Sequence, residues 1–310
     1  MRILITGGSG MVGRSLRSDP RAAAHDILAP SHGELDLLDA VACRAFLRSA
    51  RPDLIVHLAA VVGGIQANMD APGRFLAENL AIGLNLLTAA AAVGVPRLIN
   101  LGSSCMYPKD HDGLLTEDLL LTAPLEPTNE GYALAKLAAW KLTQTLGREA
   151  PDRVWRTLIP PNLYGPYDHF DAVRSHLVPA ALMKVMAAAR DGIDSVEIWG
   201  DGTVKRESLF AGDLADFIWT FHDRLETLPE TLNVGVGADL TVNEHYAAVA
   251  RAVGWGGAFR HALGKPMGMR RKLLDVGGQT RLGWRPATSL DAGLALTVAW
   301  MRSASLDRIA

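Results

Sequence analysis

The N-terminal segment MRILITGGSGMVG restricts the fold more than any other part of this chain. Its apolar start leads into Gly7, Gly10 and Gly13, and a helical pattern follows. Glycines at this spacing, between a strand and a helix, let the backbone turn tightly and approach a pyrophosphate, which the amides of the helix N-terminus then bind. The segment therefore predicts a dinucleotide site. Its predicted contacts are Gly7, Ser9, Gly10, Met11, Val12 and Gly13.

Up to Pro160, short apolar runs alternate with longer helical patterns, as in a parallel sheet covered by crossover helices. The predicted strands are RILIT, HDILAP, ELDL, DLIVHLA, RLINLGS and VWRTLIP. The predicted helices are MVGRSLRSD, DAVACRAFLRSA, GRFLAENLAIGLNLLTAAAAVG, YALAKLAAWKLTQTLGREA and a last one capped by Ser289. We predict an α/β fold with a doubly wound parallel Rossmann sheet over residues 1–162. Proline and glycine clusters then predict a smaller mixed α/β substrate lobe over residues 163–310, and a return to the Rossmann domain near residues 208–240 stays open.

Charge and composition argue against several classes of protein. The 31 basic and 33 acidic residues are mixed along the chain and give a net charge of -2, so we expect no nucleic-acid partner. No apolar run approaches the roughly 20 residues of a membrane span, and the N-terminus lacks the features of a signal peptide. Cys43 and Cys105 have no metal-ligand spacing, so we expect no metal and a reducing, cytoplasmic location.

The residues after the second predicted strand indicate which dinucleotide binds. NAD-binding folds of this type usually place a carboxylate there, on the ribose 2′-hydroxyl. Here the chain reads APSH at 29–32. With no carboxylate to repel a 2′-phosphate, and with Ser9, Ser31 and His32 as donors, the sequence favours NADP(H). Arg14 is either a further phosphate ligand or a solvated surface charge.

Further cofactor contacts are predicted after the next strands. Asp36 is placed to accept a hydrogen bond from the adenine amino group, whereas Asp39 is typical of a helix N-cap. Leu58, Ala59 and Ala60 follow a strand at the carboxyl edge of the sheet, where the cofactor binds. Asn79, in the next predicted helix, is either close to this edge or a polar residue on an exposed face.

Tyr132 and Lys136 in GYALAK lie four residues apart, so a helix places both side chains on one face. A free phenol has a pKa of about 10, and we expect the ammonium to lower it. Ser103, at the end of a predicted strand, can bond the same carbonyl oxygen that Tyr132 protonates. The three residues are therefore the predicted redox centre, in which Lys136 also holds the nicotinamide ribose.

Six motifs are more specific than the glycine turn. They are VGGIQAN (62–68), LGSSCMYP (101–108), LEPTNEGYALAK (125–136), NLYGPYDHF (162–170), SHLVPAAL (175–182) and RKLLDV (271–276). With them the chain resembles the extended short-chain dehydrogenase/reductase family over nearly its whole length. Within that family it is most similar to the GDP-L-fucose synthases, which are NADPH-dependent 3,5-epimerase-4-reductases of GDP-4-keto-6-deoxy-D-mannose.

The resemblance implies further roles and an assembly. Cys105 and His176 would be the acid-base pair of the epimerisation, although either residue alone is more often structural. Asn162 and His176 would join Tyr132 and Lys136 at the cofactor. The GDP-sugar would be bound by Lys184, Trp199, Arg206 and Lys272, and the two long helices at residues 74–94 and 131–148 would form a homodimer. Gly131 departs from the family's usual proline or serine, which predicts a looser loop before the tyrosine.

Two other functions stay open. One is the same chemistry on another 4-keto sugar nucleotide, of the GDP-6-deoxy-heptose or GDP-colitose type. The other is a non-catalytic NADP-sensing protein on the same fold, because a fold does not fix a function.

Overall fold

The computed structural model describes residues 1–172, 175–265 and 268–304. Its strands are β1 Arg2–Thr6, β2 Asp26–Leu28, β3 Leu54–His57, β4 Arg97–Leu101, β5 Val154–Ile159, β6 Asn162–Tyr164, β7 Ser195–Trp199, β8 Lys205–Arg206, β9 Ser208–Phe210, β10 Thr231–Asn233, β11 Leu240–Thr241, β12 Ala258–Ala262 and β13 Arg271–Lys272. Its helices are α1 Met11–Ser18, α2 Ala40–Ala50, α3 Ile65–Asp70, α4 Pro72–Val93, α5 Glu130–Arg148, α6 Leu177–Asp191, α7 Ala211–Phe221, α8 Val242–Val253, α9 Gly277–Arg281 and α10 Leu290–Ser303.

The central sheet has six strands within these ranges, in the order β10-β5-β4-β3-β1-β2, and every pair is parallel. Helices α1 and α7 cover one face of the sheet, and α2, α4 and α5 cover the other. This arrangement confirms the predicted doubly wound Rossmann-type fold.

Five of the six predicted strands form β1 to β5, but the predicted strand ELDL is wrong. Residues 34–37 lie in turns, where the Asp36 carboxylate accepts a hydrogen bond from the backbone N–H of Leu38 at 2.9 Å. A parallel neighbour needs a crossover of about a dozen residues, and residue 34 follows β2 too closely for one. The sixth strand is instead β10, which pairs with β5 at the edge of the sheet.

A second apolar core lies under α6, α8 and α10 together with β7 and β12. Ser289 caps α10 as predicted, because its side chain accepts a hydrogen bond from the backbone N–H of Ala292. Asp39 likewise caps α2. The division of the chain into two domains between residues 162 and 163 stays a prediction. Strand β10 belongs to the central sheet, and α7 belongs to the layer of helices that covers it.

Gly131 lies within α5 and not in a loop, so the expected loosening of the tyrosine's surroundings is wrong. A Cβ at this position would lie 2.8 Å from the carbonyl oxygen of Pro72, at the start of α4. A Cβ at Gly83 would lie 3.0 Å from the Cβ of Ala139, in α5. The two glycines therefore allow α4 and α5 to pack closely.

Candidate active site

A cleft of about 1060 Å³ separates the carboxyl edge of the central sheet from the second core. It is larger than the roughly 300–1,000 Å³ typical of a site for one small ligand. Nearly all predicted site residues line it. On the cofactor side these are Gly7, Ser9, Gly10, Met11, Val12, Gly13, His32, Asp36, Leu58, Ala59, Ala60 and Asn162. On the reacting and substrate side they are Ser103, Cys105, Tyr132, Lys136, His176, Lys184, Trp199, Arg206 and Lys272.

The glycine turn has the shape that a dinucleotide diphosphate needs. Gly7 has φ +70°, and a Cβ at Gly13 would lie 2.4 Å from the carbonyl oxygen of Gly7. Helix α1 starts at Met11 without a side-chain cap, so its first amides keep their hydrogen-bonding capacity for a ligand. These residues fit a bound dinucleotide.

Two predicted phosphate ligands, Ser31 and the alternative candidate Arg14, are not among the residues that line the cleft. The hydroxyl and the backbone N–H of Ser31 both donate to the Glu34 carboxylate, at 2.8 and 2.7 Å. His32 lines the cleft with a side chain that is 80% exposed and lies 3.8 Å from the Asp36 carboxylate. Arg14 donates to the carbonyl oxygen of Ser9 and lies 5.0 Å from the ring centroid of Tyr167, which places it beside the glycine turn.

Asn79 holds the segment that follows β3. It is 5% exposed, its side-chain oxygen accepts from the backbone N–H of Val61 at 2.8 Å, and its amide donates to the carbonyl oxygen of the same residue at 3.0 Å. The suggestion of a polar residue on an exposed face is therefore wrong. Asn79 fixes the strand-to-helix segment that forms this wall of the cleft.

The predicted redox residues come together at the ends of β4 and α5. Lys136 donates to the carbonyl oxygen of Leu101 at 2.8 Å, and its Nζ lies 5.9 Å from the ring centroid of Tyr132. Burial lowers the pKa of Lys136 to about 8. Burial raises the pKa of Tyr132, and the charge of Cys105 raises it further. A hydrogen bond with Ser103 acts in the opposite direction.

Cys105 and His176 face the same part of the cleft. The Cys105 sulfur accepts hydrogen bonds from the Asn129 amide at 3.1 Å and from the Lys272 ammonium at 3.5 Å. Burial lowers the pKa of His176 to about 4, and the positive charge of Lys272 contributes to this. The residue as a whole is exposed to the cleft, and with this pKa the imidazole is neutral at neutral pH.

The far end of the cleft is positively charged. Lys184 and Lys265 each lie 5.4 Å from the ring centroid of Trp199. Burial lowers the pKa of Arg206 to about 10. The charges of the nearby Cys105 and Glu126 act in the opposite direction and partly offset this effect. Cations around an indole suit a ligand with phosphate groups and an aromatic base.

Sequence reasoning missed several residues of this site. Asn129 and Asp168 line the cleft, and each has one buried side-chain oxygen without a hydrogen-bond partner among the described residues. Burial raises the pKa of Asp168 to about 7. Asn129 and Asp168 stood inside two of the quoted motifs, but nothing in their spacing distinguished them from ordinary loop residues. Lys265 carried no signal, because its contact with Trp199 depends on the folded chain.

Comparisons with known proteins agree with this architecture. Residues 3–235 match the model of the NAD dependent epimerase/dehydratase family. The chain is 45% identical to the GDP-L-colitose synthase of Yersinia pseudotuberculosis over 96% of each protein. It is 47% identical to the GDP-L-fucose synthase of Azorhizobium caulinodans, over 96% of this chain and 95% of that protein.

A solved structure shows the same fold. The GDP-mannoheptose C4 reductase MlghC from Campylobacter jejuni, solved with NADP bound, has a TM-score of 0.86 at 26% identity and covers 97% of this chain and 98% of its own. The glycine turn, the six-stranded parallel sheet and these matches agree on one assignment. The chain belongs to the NAD dependent epimerase/dehydratase family.

Proposed function

We propose that the protein catalyses the NADPH-dependent 3,5-epimerisation and 4-reduction of GDP-4-keto-6-deoxy-D-mannose to GDP-L-fucose. The observation that carries this proposal is the convergence of Ser103, Tyr132 and Lys136 with Cys105 and His176 on one cleft. A reductase alone needs only the first three of these residues. The second pair supplies proton transfer at carbon, which an epimerase needs.

The reduction uses the protonated phenol of Tyr132. Because burial keeps its pKa high, the phenol retains its proton at neutral pH and can donate it to the ketone oxygen at C4. Ser103 holds the same oxygen, and Lys136 supports the phenol and the ribose. NADPH, when bound, supplies the hydride that C4 accepts.

The epimerisation uses the acidity of the hydrogens beside the ketone. Removal of a proton from C3 or C5 breaks a C–H bond and leaves its electron pair in an enolate, whose charge lies on the oxygen held by Ser103 and Tyr132. Return of a proton to the opposite face inverts the carbon. Cys105 takes the proton from carbon as the base. His176, which is neutral at neutral pH, relays the returning proton from solvent to the opposite face: one ring nitrogen gains a proton from water as the other gives its proton to carbon.

NADP(H) is the cofactor that the cleft suits. The loop after β2 carries Ala29 and Pro30 where NAD-binding members place a carboxylate. His32 lines the cleft and Arg14 bonds the carbonyl oxygen of Ser9 in the glycine turn, so both are candidate donors to a 2′-phosphate. The MlghC structure, which has the same fold, contains NADP. Both observations support NADP(H) here.

A second substrate follows from the comparisons. The relative that is 45% identical over the same length is named a GDP-L-colitose synthase. The 4-keto precursor of GDP-L-colitose is therefore the alternative substrate, handled by the same five reacting residues. A purely NADP-sensing protein has no use for a complete proton-transfer set, which argues against that function.

The test is an assay of NADPH oxidation with each of the two 4-keto sugar nucleotides, with the products identified by NMR. We expect turnover with GDP-4-keto-6-deoxy-D-mannose, and a loss of at least about 100-fold in kcat for reduction in Tyr132→Phe. Faster turnover of the colitose precursor would assign the second substrate. Binding of NADPH without turnover of either sugar would leave the sensing function and exclude the proposed one.

A homodimer in the cytoplasm is the expected state of the protein. Helix α4 is apolar and only about one third buried. Contrary to the expectation from the sequence, it is long and apolar enough to cross a membrane by length and composition, alone among the described helices. It packs along α5 and α2, the other helices on this face of the Rossmann sheet. We therefore expect a second copy of the chain to cover the apolar side chains that α4 leaves exposed. Leu80, Leu84 and Leu134 are 37%, 53% and 42% exposed on this α4/α5 face.

A further inference from the structure

The Cys105 sulfur receives two N–H donors that sequence reasoning did not anticipate. The Asn129 amide donates at 3.1 Å and the Lys272 ammonium at 3.5 Å. The hydroxyl of Ser103 accepts from the backbone N–H of Cys105 at 3.2 Å, which fixes the main chain under the sulfur. The sulfur therefore has two N–H donors, and a third hydrogen bond fixes the main chain that carries it.

Donors of this kind suit one form of the sulfur better than the other. A neutral thiol is a weak acceptor, whereas a thiolate accepts strong charge-assisted hydrogen bonds. An amide and an ammonium directed at the sulfur therefore stabilise negative charge on it. Negative charge is what the sulfur needs in order to take a proton from carbon.

The placement of Asn129 differs from that of an ordinary helix cap. It occupies the N-cap position of α5, where asparagine usually bonds the first free backbone N–H groups. Here its side chain makes no such bond. Its amide is directed at the sulfur, and its oxygen is buried with no hydrogen-bond partner in the described part of the chain. The residue gives up its usual stabilising role, which indicates that its contact with Cys105 has a function.

The same residue connects the two reactions of the cleft. Asn129 lies three residues before Tyr132, at the start of the same helix, so its bond to the sulfur fixes the distance between the thiol and the phenol. Lys272 links the sulfur to the second member of the pair, because its charge also lowers the pKa of His176. Inversion and reduction must both act on one bound sugar, and a fixed spacing allows this.

We propose that Asn129 is a positioning residue that, together with the ammonium of Lys272, holds the sulfur of Cys105 as a thiolate directed at the sugar. In the step it supports, an S–H bond forms as the C–H bond at C3 or C5 breaks. The electron pair of the C–H bond passes into the enolate, whose charge lies on the C4 oxygen. This inference rests on the proposed epimerase function, and Asn129 itself does not touch the reacting atoms.

The test compares Asn129→Ala and Asn129→Asp with the wild type. Asn243→Ala is the matched control, because the Asn243 amide also donates one hydrogen bond, to the carbonyl oxygen of Asp201 at 3.1 Å, and the residue does not line the cleft. The first measurement is the rate at which iodoacetamide alkylates Cys105 at neutral pH, read by mass spectrometry. Cys43 is 0% exposed and does not compete, and Cys105→Ser gives the background. The second is the incorporation of solvent deuterium at C3 and C5, alongside reduction at C4 and NADPH affinity.

In Asn129→Ala we expect alkylation and deuterium exchange to slow by about 10- to 100-fold, which corresponds to the loss of one hydrogen bond to a charged group. Direct 4-reduction and NADPH affinity should stay near the wild-type values. Asn129→Asp should be slower still, because its carboxylate opposes negative charge on the sulfur. Asn243→Ala should match the wild type in every measurement.

Wild-type alkylation and exchange in Asn129→Ala would overturn the proposal. So would a parallel loss of exchange, reduction and NADPH affinity, since that pattern means that Asn129 only supports the start of α5. If the wild type exchanges no proton with either sugar nucleotide, the epimerase function fails separately. Slower alkylation of Asn129→Ala would then still uphold the effect of Asn129 on the sulfur.

Discussion

Burial shifts the pKa values of several titratable side chains in and beneath the cleft, among them Tyr132 and Lys136. The spacing of Tyr132 and Lys136 correctly predicted that they share a helix face, but the expected lowering of the phenol's pKa is wrong. Lys136 directs its ammonium at the carbonyl oxygen of Leu101, and burial of the phenol outweighs the distant charge. The consequence suits the reaction, because a proton donor must be protonated at neutral pH.

His57 shows the same effect beneath the site. It is 2% exposed, and its Nδ1 shares a hydrogen bond of 2.8 Å with the hydroxyl of Thr6. Burial, with a contribution from the charge of Lys136, lowers the pKa of His57 from 6.5 to about 3. Between these values the unfolded chain binds a proton that the folded chain does not, so stability falls as the pH drops through this window.

We predict that His57 makes the free energy of unfolding fall by about 2 kcal/mol between pH 6.5 and about pH 5, at about 1.4 kcal/mol per pH unit. His57→Gln should lose this dependence, as measured by urea denaturation at both pH values. His32→Gln, whose side chain in the wild type is 80% exposed, should keep it. Equal pH dependence in the wild type and His57→Gln would show that the imidazole is not held neutral.

At the scale of secondary-structure elements, buried groups at the ends of strands hold the cleft together. Glu207 follows β8 and is 1% exposed. Its carboxylate accepts from the backbone N–H groups of Val236 at 2.6 Å, Gly237 at 2.9 Å and Leu274 at 2.9 Å. One side chain thus joins the strand of Arg206, the loop after β10 and the segment after Lys272.

Glu207→Gln should therefore lower the free energy of unfolding by about 2–3 kcal/mol, because an amide nitrogen would face a backbone donor at a buried site. The KM for the sugar nucleotide should rise as well, since Arg206 and Lys272 lose their common support. Thermal unfolding and steady-state kinetics measure the two effects. Glu226→Gln, at a side chain that is 56% exposed, is the control, and a stable Glu207→Gln protein with wild-type KM would contradict the prediction.

The glycine turn gives a second prediction at this scale. Gly13→Ala brings a Cβ to 2.4 Å from the carbonyl oxygen of Gly7, so the turn must open and the diphosphate loses its amides. We expect the Kd for NADPH to rise at least about 10-fold, as measured by calorimetry. Gly73→Ala is the control because no atom lies within 4 Å of a Cβ there. Unchanged affinity in Gly13→Ala would place the diphosphate elsewhere.

At the scale of the whole molecule, we expect the α4/α5 face to be the surface through which the chain assembles. The two helices pack closely at Gly83 and Gly131 and leave leucines uncovered on their outer side. These leucines do not line the cleft, so the site within one chain does not use this apolar surface. A second copy that places its own α4 and α5 against it would bury the leucines in a four-helix interface.

We predict that Leu84→Glu, at a side chain that is 53% exposed, converts the protein from a dimer into a monomer in sedimentation experiments. A charge in the centre of an apolar interface cannot be solvated there, so association weakens by several kcal/mol. Leu296→Glu, at a leucine of α10 that is 54% exposed, should leave the dimer intact. A wild-type chain that sediments as a monomer would remove the dimer from the proposal.

The sequence alone determined features that depend on local spacing. The glycine turn, five strands of the central sheet, the helix caps at Asp39 and Ser289 and the shared helix face of Tyr132 and Lys136 all follow from neighbours within a few residues. Such features can be predicted locally, because backbone sterics and side-chain periodicity favour them before long-range contacts are known.

Only the tertiary structure decided features that join distant segments. It placed β10 beside β5, turned Ser31 toward Glu34, and directed Asn129 and Lys272, from distant parts of the chain, at one sulfur. It also raised the pKa of Tyr132. The physical reason is that burial and long-range contact depend on which surfaces meet after folding, and local spacing does not carry that information.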